Sequence, residues 1–176
     1  MSFEQVIGQE LEWRQPEAMR RVYQLMSGEE EIGTLRFESM WGSLATGQFG
    51  ERQWTFKRTG FLSPRITVRD AGAAENVAVF TPGWGGGGWL AVNGRRYHLR
   101  HKNFWGTEWA FEGEDGSTAF VLSGSRGVFK QSAQATVSDS AARLPEAPIM
   151  LMLMWYVRLL MNEDAAAGAA VVAACG

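Results

Sequence analysis

His98 and His101 form an H-x-x-H pair. On a helix that spacing sets two imidazoles on one face, as zinc ligands; on a strand it sets them on opposite faces. The segment Arg95-RYHLR-His101 alternates cationic and apolar residues as a strand does, with no Cys or acidic cluster beside it. No metal site and no cofactor is expected. Thr81-PGWGGGG-Trp89 is the other conspicuous stretch. A glycine-rich phosphate cradle follows a strand, opens a helix and carries Gly-Lys-Ser/Thr. Here a strand follows and no lysine is near, so a hairpin connection is the expectation. Trp84 and Trp89 remain candidates for an interaction loop, since indole rings favour half-wet positions at a barrel mouth or a membrane interface. There is no Gly-x-Ser-x-Gly, and the carboxylates stand mainly in turns. A non-enzymatic protein is expected.

The cations have more to offer. Residues 51–102 hold nine Lys/Arg against three Asp/Glu, a balance of +6, while each flank carries −4. The overall charge of −2 and pI of 5.8 exclude a generally basic nucleic-acid binder. On a strand Tyr97 and Leu99 belong inward, which turns Arg96, His98 and Arg100 outward, with Lys102 beyond them. Arg65 and Arg69 face outward on Arg65-ITV-Arg69 by the same reasoning. If those strands are neighbours, Arg65, Arg69, Arg96, His98, Arg100 and Lys102 form a cationic face for phosphate groups or anionic lipid. Solvated outward positions are the plainer reading of the same charges.

Strands must position these groups. From about Leu11 to Val137, short alternating runs are separated by turn residues. They include 21–27, 31–38, 53–58, 64–70, 75–81, 89–92, 95–101, 108–112 and 117–122, with weaker ones at 44–49 and 127–137. Asn93-Gly94 is a strong two-residue hairpin signal. Trp54-Thr55-Phe56 and Trp109-Ala110-Phe111, each followed by glycine, hint at a repeated hairpin unit. A dozen short strands at this spacing predict a sandwich or barrel.

Ile149-MLMLMWYV-Arg158 breaks the pattern: nine apolar residues from Ile149 to Val157, ended by Arg158. A membrane span needs about 20, so a transmembrane protein is not expected. A helix apolar on every side is buried on every side. In a β-protein the structure that surrounds a helix is a closed barrel. The reading is therefore one domain over 1–176. It is an all-β closed antiparallel barrel of about 12 strands (11–140), with a linker at 141–148 and a helix at 149–174 running through the centre at least to Met161. Arg158 then needs water at a rim or an acidic partner. Asn162-Glu163-Asp164 either caps a second helix or lies within one continuous helix. The N-terminus shows no secretory signal, and Cys175, the single cysteine, is a bystander. A cytoplasmic protein, peripheral at a membrane at most, is expected.

A run of strands closed by one wholly apolar helix resembles the tubby-like superfamily, which includes LURP-one-related proteins and phospholipid scramblases. Small bacterial members are the nearest in pattern. The likeness rests on Trp54-Thr55-Phe56-Lys57-Arg58, Gly60-Phe61, Arg65 to Arg69, Trp109-Ala110-Phe111 with Gly113 to Gly116, and Met150 to Met161. It implies a barrel around a helix and a module that binds phosphoinositide-like ligands or an anionic membrane surface. The chain departs from scramblases in lacking a Pro-rich N-terminal region, a cysteine-rich segment and a calcium-ligand run. The alternative expectation is a structural barrel that contacts a protein partner through Trp84 and Trp89.

Overall fold

A computed structural model of the chain describes residues 3–6, 9–60, 62–104, 106–124 and 130–174, with side chains to 170. Phe61, Cys175 and the first residues of the strand expected at 127–137 lie outside the described residues. After a 3-10 turn, Phe3–Val6, come β1 (Leu11–Arg14), β2 (Val22–Ser27), β3 (Glu30–Phe37) and β4 (Ala45–Phe49). Then follow β5 (Arg52–Thr59), β6 (Arg65–Asp70), β7 (Ala78–Pro82) and β8 (Gly88–Val92). The last four are β9 (Arg95–His101), β10 (Glu108–Gly113), β11 (Thr118–Ser123) and β12 (Ser132–Val137). A short helix α1 (Asp139–Ala142) leads to α2 (Ala147–Ala174).

The twelve strands make one closed antiparallel barrel. Each pairs with its neighbours in sequence, and β1 closes the ring on β12 with Leu11 opposite Ala135 and Trp13 opposite Ala133. Expectation and structure differ at the margins. The seventh strand begins at Ala78 rather than Glu75, and residues 71–77 form a connection. The segment 141–148 is not a plain linker: α1 occupies its start, capped by Ser138 Oγ on the Ala141 N–H, and α2 opens at Ala147. Pro148 is tolerated there because the first helical N–H groups have no intrahelical acceptor.

The helix α2 fills the barrel. From Ile149 to Leu160 every side chain, Arg158 included, is at most 5% exposed. Trp155 stacks on Trp13 at 5.7 Å, and Tyr156 sits 5.5 Å from both Phe37 and Phe56. Room for these rings comes from small inward residues on facing strands. A Cβ on Gly47 would stand 2.7 Å from the Phe56 ring and 3.3 Å from the Met152 sulfur. Large and small inward positions thus interdigitate with the helix, as close packing requires.

Both ends of α2 are fastened. Where it enters, the buried Glu146 carboxylate accepts from Arg95 Nη1 (2.9 Å), Asn93 Nδ2 (3.3 Å) and Tyr97 Oη (3.3 Å). Asn93 and Gly94 have φ of 49° and 72°, the paired left-handed turn that brings them beneath the helix. Burial, then the Glu146 charge, pushes the Tyr97 hydroxyl up, and the hydrogen bond to Glu146 raises Arg95. Where the helix leaves, Glu163 pairs with Arg21 (2.6 Å) and Asp164 with Arg58 (2.6 Å). Arg21 also donates to the carbonyls of Ser39 and Gly42 and lies 3.8 Å over the Phe37 ring. Asn162-Glu163-Asp164 is therefore not a cap between two helices. One continuous helix runs past it, and its acids clamp the helix to the rim.

Consecutive antiparallel pairing alternates the connections between the two ends of the barrel. Those after odd-numbered strands all lie where α2 leaves, the exit end; those after even-numbered strands lie where it enters, the entry end. No helix among the described residues is long and apolar enough to cross a membrane. The barrel wall itself faces outward with Arg14, Gln24, Arg36, Gln53, Lys57 and Arg69, the reverse of the apolar-out wall of a lipid-spanning barrel.

Candidate functional site

The outer face of β8, β9 and β10 carries the densest group of sequence-selected residues. Tyr97 and Leu99 are buried while Arg96 and Arg100 are exposed, as the alternation predicts. The pairing register sets Trp89 opposite His98, and His98 opposite Glu112. A chain of contacts follows from it. The Arg96 guanidinium lies 4.9 Å over the Trp89 ring, and that ring stacks on His98 at 4.4 Å. Arg100 Nη2 is 3.1 Å from His98 Nδ1. A guanidinium can only donate, so this contact needs the imidazole proton on Nε2. Arg100 and Lys102 then share one carboxylate, Glu112, at 3.1 and 3.2 Å.

The arrangement keeps net positive charge, because two cations divide one carboxylate and Arg96 adds a third. The cation–π contact with Trp89 engages Arg96 without using its N–H donors, which stay available to an anion. An arginine fork held in this way matches two phosphate oxygens at once.

Arg65 and Arg69 do not join it. They are exposed on β6, with β7 and β8 between them and β9. Three strand spacings of about 4.8 Å put roughly 14 Å between the rows. Arg69 donates to Asn76 Oδ1 (2.8 Å), and Lys57 stands opposite Thr67 on the adjoining strand. Arg65 and Lys57 have no ion pair among the described residues. The six proposed ligand residues thus divide into a contact chain on β9 and a separate β6 pair.

The two tryptophans also part company. Trp89 is a wall residue within the contact chain. Trp84 is fully exposed at the tip of the β7–β8 connection. Gly87 is demanded by close approach, since a Cβ there would lie 2.3 Å from the Leu99 carbonyl oxygen, whereas Gly85 faces open space with φ of 87°. His101 points inward and packs on Trp109 at 4.0 Å, so the H-x-x-H pair is split across the sheet. No group of three His, Cys, Asp or Glu side chains that could hold a metal occurs among the described residues.

Sequence reasoning passed over Glu112, Glu146 and Arg21. Glu112 carries a period-2 signal, since it follows Phe111 and so faces outward, but its partners depend on the β9–β10 register. Arg158 donates to the carbonyls of Thr107 (3.3 Å) and Gly124 (3.2 Å) at the exit rim.

At the entry end a hollow of about 520 Å³ opens between the β8–β9 and β10–β11 turns, beside Arg95, Arg96, Asp115 and Ser117. Hydrogen bonds from Ser117 hold the Asp115 carboxyl below its ordinary range, so this hollow presents both signs of charge. It is a poorer seat for an anion than the Arg96 face.

No protein-family model, no curated protein and no solved structure matches this chain.

Proposed function

We propose that this chain is a non-enzymatic binding module whose β8–β10 face receives a phosphate-bearing anion, either a phospholipid headgroup or a free phosphorylated ligand. One observation carries the reading: the contact series Arg96, Trp89, His98, Arg100 on the outer wall, in which Arg96 has no ion pair among the described residues. Arg65 and Arg69 contribute long-range attraction rather than direct ligation. The barrel axis is taken up by α2, which supports a site on the outer surface rather than inside the barrel. The resemblance to tubby-like barrels agrees with a peripheral role in the cytoplasm but adds no residue to the site.

The test is binding of inositol hexakisphosphate, and of vesicles of phosphatidylcholine with phosphatidylglycerol, across a salt series. Arg96→Glu/Arg100→Glu should abolish binding of the soluble phosphate and reduce the salt-sensitive part of vesicle binding. Binding of the soluble ligand that survives the double variant rejects this face. Retention by vesicles alone identifies the source as lipid.

A further inference from the structure

We infer that the exit end of the barrel docks end-on onto a lipid bilayer, with its loop tips and the emergent helix seated in the interfacial layer. This surface differs from the β8–β10 face and relies on a different force.

The large exposed apolar side chains are distributed unevenly. Among the described residues they are Met19, Met40, Trp41, Leu44, Leu62, Trp84, Trp89 and Phe104. All but Trp89 lie in connections after odd-numbered strands, and so at one end of the barrel. Five separate connections contribute, with exposure from 40% for Leu44 to 107% for Trp84, and Trp41, Leu62, Trp84 and Phe104 all above 90%. The entry end shows none; its turns carry Glu29, Glu51, Glu75, Glu114 and Asp115 instead.

A partner protein would meet a contiguous patch or groove, whereas this end offers single apolar side chains spaced around a ring. The complement of such a ring is a flat, deformable apolar layer. Trp, Phe, Leu and Met are the residue types that partition into the membrane interface. Within the ring α2 emerges, with residues 165–170 exposed and the helix continuing to Ala174. The ten helical residues from 165 to 174 reach about 15 Å at 1.5 Å each, enough to enter one leaflet of a ~30 Å hydrocarbon core.

Two further features favour lipid. A cleft of about 240 Å³ opens at this end between Pro64, Phe80, Gly87, Leu160 and Met161, with the Arg58–Asp164 ion pair at its edge. Its largely apolar lining suits an acyl chain. The charges are also complementary. Lys130 and Arg65 stand at the exit end without an ion pair among the described residues, and the rim acids Glu17, Glu163 and Asp164 are each paired with an arginine, Glu17 with Arg20. Of the other rim acids, Glu112 is shared by Arg100 and Lys102, while Glu38 and Glu108 have no ion pair among the described residues. The acidic turns are held at the far end, away from an anionic leaflet.

The full chain is tested on phosphatidylcholine vesicles containing phosphatidylglycerol. Leu62→Asp/Trp84→Asp should lower the partition coefficient by about tenfold or more, with the melting temperature unchanged, because exposed tips hold no core contacts. Brominated phosphatidylcholine should quench part of the tryptophan emission, and Trp41→Phe/Trp84→Phe should reduce that part while binding persists. Trp13, Trp54 and Trp155 are buried and cannot supply it. The inference is overturned if the wild-type chain ignores vesicles, if the Asp variant partitions as wild type, or if the ring instead buries against a second copy in gel filtration. Loss of soluble-phosphate binding on Arg96→Glu/Arg100→Glu bears on the wall site alone, so the two readings fail separately.

Discussion

Trp155, in the middle of α2, lies 5.7 Å from Trp13 of the first strand with the two indole planes 8° apart. The strand that holds Trp13 is the one that closes the barrel, paired to β2 on one side and β12 on the other. Closure of the sheet and insertion of the helix therefore meet at one contact.

Truncating either ring should be costly. Trp155→Ala is expected to destabilise by about 3–5 kcal/mol, the range for a fully buried aromatic. A double-mutant cycle with Trp13→Ala should show coupling near 1 kcal/mol for the stacked pair. Urea unfolding followed by far-UV circular dichroism measures both.

The placement of the helix has a sharper test at Met154, which is fully buried. Met154→Asp should cost several kcal/mol and leave the chain unfolded or aggregated, because an unpaired carboxylate would sit on the barrel axis. Met154→Leu, which conserves volume and polarity, should cost under about 1.5 kcal/mol. A folded, soluble Asp variant with a native melting temperature would falsify the threaded architecture.

Glu146 and Arg95 should not be equivalent. The Glu146 carboxylate is fully buried and holds three donors, while Arg95 is half exposed. Glu146→Ala removes the buried charge together with its desolvation cost and leaves the buried Tyr97 hydroxyl without its acceptor, a loss of about 1–3 kcal/mol. Arg95→Ala should cost as much or more, because it leaves the buried carboxylate without its cation. Comparison of chemical-denaturation midpoints at neutral pH orders the two.

Alkaline pH should unfold the protein through its tyrosines. Burial, then the nearby Glu163 charge, pushes Tyr23 up to about 12; burial also raises Tyr156 and Tyr97. In the unfolded chain these hydroxyls ionise near pH 10. A folded-state pKa above the unfolded one means that the native state holds its proton longer. That stability is complete below about pH 10 and is lost as pH rises through the folded values. For Tyr23 alone, two pH units correspond to about 2–3 kcal/mol. The melting temperature should be flat from neutral pH to about 10 and fall steeply above it. Tyr23→Phe should blunt the fall.

The exit clamp sets local rather than global order. Arg58→Ala should change unfolding free energy by no more than about 1 kcal/mol, because its pair with Asp164 is solvent-facing. Arg21→Ala should do more, since it also caps the Ser39 and Gly42 carbonyls and covers Phe37. Hydrogen exchange should accelerate over residues 162–170 in both variants, with the barrel strands unchanged.

The sequence by itself determined the barrel and its helix. Alternation in segments such as Gln53 to Arg58 specifies which side of a strand is buried, because the side-chain period of a strand is two. The unbroken run from Ile149 to Val157 leaves no polar face for solvent, so only a closed sheet can enclose it. Glycine and Asn-Gly turns mark the hairpins because few residues tolerate φ > 0. All of this is local chemistry, written in residue order.

The tertiary structure decided what lies beside what. Arg65 and Arg96 read alike as outward cations, yet two strands separate them, because lateral position depends on pairing order rather than period. Glu112 neutralises part of the basic face only through the β9–β10 register. Glu163 and Asp164 could be read as a cap until Arg21 and Arg58, more than a hundred residues earlier, came within 2.6 Å. Trp41 and Leu62 carry no signal singly, and Trp84 is legible only as one loop tip. They share one end because every strand is antiparallel to the one before, which sends alternate connections to opposite rims and gathers single loop tips into a surface.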